Sequence, residues 1–256
     1  MSFFKNLCDD MNKRKFLADN PVLKAAQLNE LSPARIEEIV GQYVGLVTMI
    51  TSYLFMGSHM LSKIPAARDE LVRNIGEERG SLTGGYTHHE ILNRELMKLG
   101  VKANLTVWDA GTRDILAALG LFVGGGSQSE YFVAGVIYAL EATATPELQV
   151  VGRILNEYAR MRGLPQLITD EALVGRHVVR AASASEMDLS DFFGIHIEAF
   201  EPGHRDRFAQ AIASEPKVEW SDRVQFATGF RSVLTLMELW WERLALPAGT
   251  DVATIS

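Results

Sequence analysis

The segment from Ser32 to Leu61 constrains the fold more than any other part of the chain. Ser32-Pro33 reads as a helix start, with proline at the first helical position and Glu37 and Glu38 read as acids of the first turn. Behind it runs IVGQYVGLVTMITSYLFMGSHML, apolar around most of the helical circumference. Such a helix must be covered by others, and the remaining sequence supplies them.

Residues 66 to 79 read as a second helix ending near Gly80, and the glycine-bearing loop SLTGGYT leads to a third at 88 to 98, closed by Gly100. A helix through RDILAALGLF stops at Gly124-Gly125-Gly126, and the next covers 129 to 142. Thr145-Pro146-Glu147 reads as the N-cap, proline and acid of a further helix. A helical stretch is expected around 169 to 180, Ser183 or Ser185 is expected to open DLSDFFGIHIEAF, and a last helix runs from about 222 to 245. No alternating β-branched run with Asn-Gly or Asp-Gly turns is evident, nor an internal repeat or Pro-rich linker. The expected architecture is an all-α, single-domain bundle of seven to ten helices, with an N-terminal arm at 1–32, the helical domain at 33–246 and a tail at 247–256.

Composition narrows the function classes. A formal charge of -7, with the basic residues scattered among acids, argues against a nucleic-acid partner, because phosphate binding needs clustered Lys and Arg. The single cysteine, Cys8, excludes an intramolecular disulfide and a cysteine-based zinc site, and suits a reducing compartment. MSFFKNLCDDMNKRKF has no signal-peptide core, and no uninterrupted apolar stretch approaches the roughly 18 residues of a membrane span. No membrane partner and a cytoplasmic location are therefore expected.

Four stretches carry metal-ligand side chains: Glu78 in NIGEERG, His88 in THHEIL, Glu141 in YALEATATPE, and His196, Glu201 and His204 in HIEAFEPGH. Each has a plainer reading. Glu77-Glu78-Arg79 also reads as a solvated helix end, and His88 or His89 as a surface residue or polar cap. Glu141 is the most telling, because a carboxylate on an otherwise apolar helix is costly without a partner or a metal. Together, three carboxylates and three imidazoles on separate helices make a donor set for two metal ions.

HIEAFEPGH is one residue too long for a regular helix to place His196, Glu201 and His204 on one face. A π-bulge absorbs such an insertion, and Pro202 suits a ladder that is already interrupted. In the competing reading the helix ends near Phe200, EPG is a turn and His204 lies on the surface. His59 is expected to be a satisfied core histidine and His177 to be exposed. GLFVGGGSQS lacks the strand and the GKS or GKT ending of a phosphate loop, and no GxSxG elbow is present.

Taken in order, Glu78 in an ExG context, His88 followed by His89-Glu90, the isolated Glu141 and the final histidine–acid–histidine cluster resemble the haem-oxygenase-like non-haem diiron oxidases. These are relatives of the thiaminase II and pyrroloquinoline-quinone synthase families, and the resemblance covers roughly residues 35 to 245. It implies a seven-helix core with Glu78, His88, Glu141, His196, Glu201 and His204 as ligands and as the catalytic centre. His88 rather than His89 is the ligand it implies, from the family's histidine–variable–acid motif. The family's last motif has an aspartate four residues after the first histidine; Phe200 stands there in this chain, and Glu201 and His204 match with one inserted residue. The thiaminase cysteine has no counterpart, since Cys8 lies outside the resembling region. Two Fe(II) ions, or manganese, with O2 as co-substrate are implied, acting on a small-molecule substrate such as an amino acid, amine or fatty acid. A homodimer is expected, through an exposed helical face. The alternative is a metal-poor or mononuclear relative that serves as a small-molecule-binding protein.

Overall fold

Helices account for most of the structure, a computed structural model that describes residues 2–103 and 107–246. The segments are α1 (Ser2–Met11), α2 (Lys15–Ala18), α3 (Pro21–Gln27), α4 (Pro33–Met60), α5 (Pro65–Glu78), α6 (His88–Lys98) and α7 (Ala110–Gly124). They continue as α8 (Glu130–Arg162), α9 (Asp170–Leu173), α10 (Leu189–Ile195), a π-helical turn (His196–Phe200), α11 (Glu201–Ala213) and α12 (Trp220–Leu244). Among the described residues there is no strand, and seven helices, α4 to α8, α11 and α12, have eleven residues or more. The expected tail at 247–256 lies outside the described residues.

α4 starts where the sequence places it, with Ser32 Oγ accepting from the Arg35 amide at 3.2 Å. Glu37 and Glu38 fall beyond the first turn, which holds no acid. By length and composition α4 is apolar enough to cross a membrane, contrary to the sequence expectation, and 56% of its most apolar window is buried against other helices. Its outer stripe includes Thr48, Ser52, Phe55 and His59. His59 is thus exposed rather than a core residue, its ring edge-on to Phe55 at 4.6 Å, because Leu54, Gly57 and Ser58 take the inward face.

Pro146 does not begin a new helix. α8 runs through it without interruption. An internal proline costs about 3 kcal/mol. Burying each of Leu148, Val151, Ile154 and Leu155 on the far side returns roughly 1.5–3 kcal/mol, so tertiary packing outweighs the local penalty. Gly163, in the left-handed region at φ 66, ends the helix. α8 and α12 meet backbone to backbone: a Cβ on Gly135 would collide with the Phe226 carbonyl, and one on Gly229 with the Phe132 carbonyl. That crossing sets the spacing of two long walls of the core, around Trp241, Tyr138 and Phe230. The first 32 residues contribute to the same core, with Leu7, Met11, Phe16 and Val22 buried in it.

The expected helix at 169–180 shrinks to the single turn of α9. The chain from 174 to 187 is irregular, and part of it is held by Asp191, which accepts from the amides of Arg180 at 3.0 Å and Ala181 at 3.2 Å. His177 Nε2 lies 2.8 Å from the same carboxylate, so His177 is packed against α10 rather than exposed. Burial pushes the Asp191 carboxyl up, but the Arg180 amide, His177 and the Ala181 amide together hold it below its ordinary value. Neither Ser183 nor Ser185 caps α10; their hydroxyls bond each other, and Asp188 accepts from the Asp191 amide at 2.9 Å instead.

Candidate metal centre

Two adjacent carboxylates in the last turn of a helix oppose its dipole, which favours cations there. Glu77 and Glu78 end α5 with no basic residue in that turn, so their compensation comes from elsewhere in the fold. α6 begins at His88, fixed by a capping box: Thr87 Oγ1 accepts from the Glu90 amide at 3.1 Å and Glu90 accepts from the Thr87 amide at 2.8 Å. The cap turns His88 inward and leaves His89 on the outside, where it meets Thr48 and Asn93. Glu141 projects from the middle of α8, 4% exposed.

HIEAFEPGH folds as a π turn leading into α11. The Glu201 amide donates to the His196 carbonyl, five residues back rather than four. Pro202 has no amide to give, so the regular ladder is already broken at that point. The widened turn carries Phe200 out to stack on the His88 ring at 5.0 Å and sets Glu201 in the place a four-residue step would have given Phe200. The reading in which EPG is a turn and His204 a surface residue is overturned, since α11 is continuous through them and His204 is 1% exposed.

Glu78, His88, Glu141, His196 and Glu201 line one cavity of about 80 Å³, and His204 stands against the same carboxylates. His204 Nδ1 lies 3.5 Å from Glu141 and 3.9 Å from both Glu78 and Glu201. Glu141, Glu201 and His204 each offer one donor atom within 4.8 Å of the others, a spacing a single ion could bridge. His88 Nδ1 is 3.2 Å from Glu78, out of hydrogen-bond alignment, and the His88 and His196 rings meet edge-on at 4.5 Å. Glu78 therefore lies between the two groups.

The electrostatics differ across the cluster. Burial pushes the Glu78 carboxyl up, but the imidazoles of His88, His196 and His204 outweigh it and hold it below the ordinary carboxylate value. Burial, then the charge of Glu78, pushes Glu201 well up. Burial disfavours the charged form of His204, yet Glu141, Glu201 and Glu78 overcome this and raise it to about 10. Burial and the neighbouring His88 hold His196 down to about 3, so it is neutral, the form that ligates a metal.

The two ring nitrogens of His196 fit a metal ligand. Nδ1 lies 2.7 Å from the Phe192 carbonyl, to which it can only donate, so the lone pair sits on Nε2. Nε2 is buried with no hydrogen-bond partner, and so are both nitrogens of His88. His204 has a matching orientation: Nε2 faces Glu77 at 2.8 Å, which turns Nδ1 towards the carboxylates.

Sequence reasoning missed the supports of this cluster. Glu77, read as one half of a solvated pair, is buried and held by Arg73 at 3.0 Å and Arg207 at 3.1 Å. Its signal was the spacing: Arg73 is four residues before it, and Arg207 is one turn after His204. Glu147 was missed as well. It lines the cavity beside Tyr43, and its Oε1 accepts from Trp241 Nε1 at 3.1 Å. Splitting α8 at Pro146 hid it, because only a continuous helix puts Leu140, Ala144 and Glu147 on one face.

Comparison with known proteins adds the fold and the family. No curated protein matches the chain. Two crystal structures of a CADD-like protein of unknown function from Nostoc punctiforme share its fold. One aligns with a TM-score of 0.78 at 23% identity, covering 95% of this chain and 96% of that one. The other aligns with a TM-score of 0.74 at 24% identity, covering 95% and 93%. A family described as a domain of unknown function with a solved structure, DUF3865, matches residues 17–247, and the chain belongs to that family.

Proposed function

We propose that the protein is a non-haem dinuclear metal oxidase of the haem-oxygenase-like class, acting on a small organic substrate with O2. The observation that carries this reading is His196 Nε2, a buried, unpartnered lone pair in a cavity lined by four carboxyl groups and a second imidazole. An unsatisfied buried polar atom costs about 1–3 kcal/mol, and a metal ion removes that cost. Glu141, Glu201 and His204 would hold one ion and His88 and His196 the other, with Glu78, placed between the two groups, a ligand as well. Bound there, iron, or manganese, would supply the redox chemistry that couples O2 reduction to substrate oxidation.

The chain's own residues account for the rest. Glu77 orients the His204 ring, with Nδ1 towards the cluster, and Arg73 and Arg207 hold Glu77. Phe192 and Phe200 pack on the imidazoles of His196 and His88 and keep bulk water from them. Leu46, Ile50, Leu148 and Met237 give the cavity an apolar wall suited to the body of a small substrate.

Purified protein loaded anaerobically with ferrous iron is expected to bind about two ions per chain, read by elemental analysis. Absence of bound iron, with Glu141→Ala as stable and as metal-free as the parent, overturns the proposal and favours the small-molecule-binding protein, which draws on the same apolar wall. One ion per chain favours the mononuclear relative.

A further inference from the structure

Glu147 is a buried acid that the metal centre does not use. It is 6% exposed, lines the same cavity as the cluster, and takes a hydrogen bond from the fully buried Trp241. An indole N–H needs only an acceptor, which a neutral amide provides without the cost of burying an ionisable group. Capping Trp241 therefore does not explain a carboxyl here.

The charge inventory of the cavity is one-sided. Its lining carries four carboxyl groups, Glu78, Glu141, Glu147 and Glu201, and no Lys or Arg among the described residues. The first, second and fourth lie beside histidines, whereas the hydrogen bonds to Glu147 come from uncharged groups. A carboxylate ligand would find no basic side chain on this wall. A cationic one would find Glu147 at the edge of an apolar surface formed by Leu148, Met237 and Leu46.

We infer that Glu147 is a specificity-determining residue that receives the ammonium group of a small amine whose apolar body lies along the cavity wall. Burial pushes its carboxyl up to about 8 against the hydrogen bonds of Trp241 and Thr143. An arriving ammonium ion supplies the charge that lets it ionise. Tyr43, buried on the α4 side of the same cavity, is a neutral hydroxyl and offers a second polar contact without a competing charge. The inference rests on the proposed oxidase only for the fate of the amine; capture of the amine does not depend on the metal.

Calorimetric titration of the full chain with n-hexylamine, n-hexanol and hexanoate tests it. Hexylamine is expected to bind more tightly than either of the others. Glu147→Gln, which keeps an acceptor for Trp241, is expected to weaken hexylamine by about 30-fold or more while leaving hexanol unchanged. Equal affinity for the three probes, or an unchanged hexylamine affinity in the variant, overturns the inference. Should the variant fail to fold, the wild-type preference between hexylamine and hexanol decides. Iron content measured on the same samples separates the two proposals: an iron-loaded protein indifferent to amines sinks this one alone, and amine binding by a protein that takes no iron sinks only the oxidase.

Discussion

His196 and His204 belong to one helical run and are both buried, yet they face opposite electrostatic problems. His204 has a partner for each nitrogen: Glu77 on one side and the cluster carboxylates on the other. Its own proton supplies the positive charge that the acids require. His196 spends Nδ1 on the Phe192 carbonyl and leaves Nε2 bare, and the adjacent His88 has neither nitrogen satisfied. One side of the cluster is stable through protein charges alone. The other keeps buried nitrogens with no partner among the described residues, which is where a functional site is expected to depart from the rules of stability.

Three substitutions test the contrast. The largest effect is expected for His204→Leu in metal-free protein, which strips the carboxylates of their buried counter-charge; a loss of about 3–5 kcal/mol should appear in denaturant unfolding. A loss below about 1 kcal/mol would mean that His204 is not the cation of the cluster. Next comes Glu77→Gln, which keeps the shape but not the charge that orients His204. Iron affinity is expected to fall by about 10- to 100-fold, measured by competition with a chelator. An unchanged affinity would remove Glu77 from any supporting role. The smallest effect on stability belongs to His196→Leu, which replaces a buried imidazole with one unpartnered nitrogen by an apolar side chain. The metal-free variant should match or exceed the parent to within about 1 kcal/mol while binding about one ion fewer. Destabilisation well beyond the loss of the Nδ1–Phe192 hydrogen bond would show that Nε2 has a protein partner after all.

Much of the fold was legible in the chain. Ser32-Pro33, Gly80 and Gly100 are local helix signals, and such signals act over one turn, so sequence reports them directly; the Thr87–Glu90 capping box and Gly163 act over the same range but were not singled out. Pro146 misled because its cost is local while the burial that overrides it is distant. The helix expected at 169–180 failed for a related reason: that stretch is organised by Asp191, which lies beyond it in the chain.

Within the candidate site, residue types and order were enough to single out Glu78, His88, Glu141, His196, Glu201 and His204, and Pro202 pointed to the interrupted ladder before Glu201. The supports were missed. Glu77, Arg73 and Arg207 lie on two different helices and look like ordinary surface charges until α5 and α11 pack together.

By itself, then, the sequence determined what acts over a few residues: where helices start and stop, which faces are apolar, and which side chains can donate to a metal. Tertiary structure alone decided which of those side chains are deprived of water and which find a partner. Gly135 and Gly229 let α8 and α12 approach closely, and the assembled cavity leaves His196 Nε2 without a partner and Glu147 without a cation among the described residues. The physical reason is that desolvation is a property of the assembled core, and no residue carries it in its own spacing.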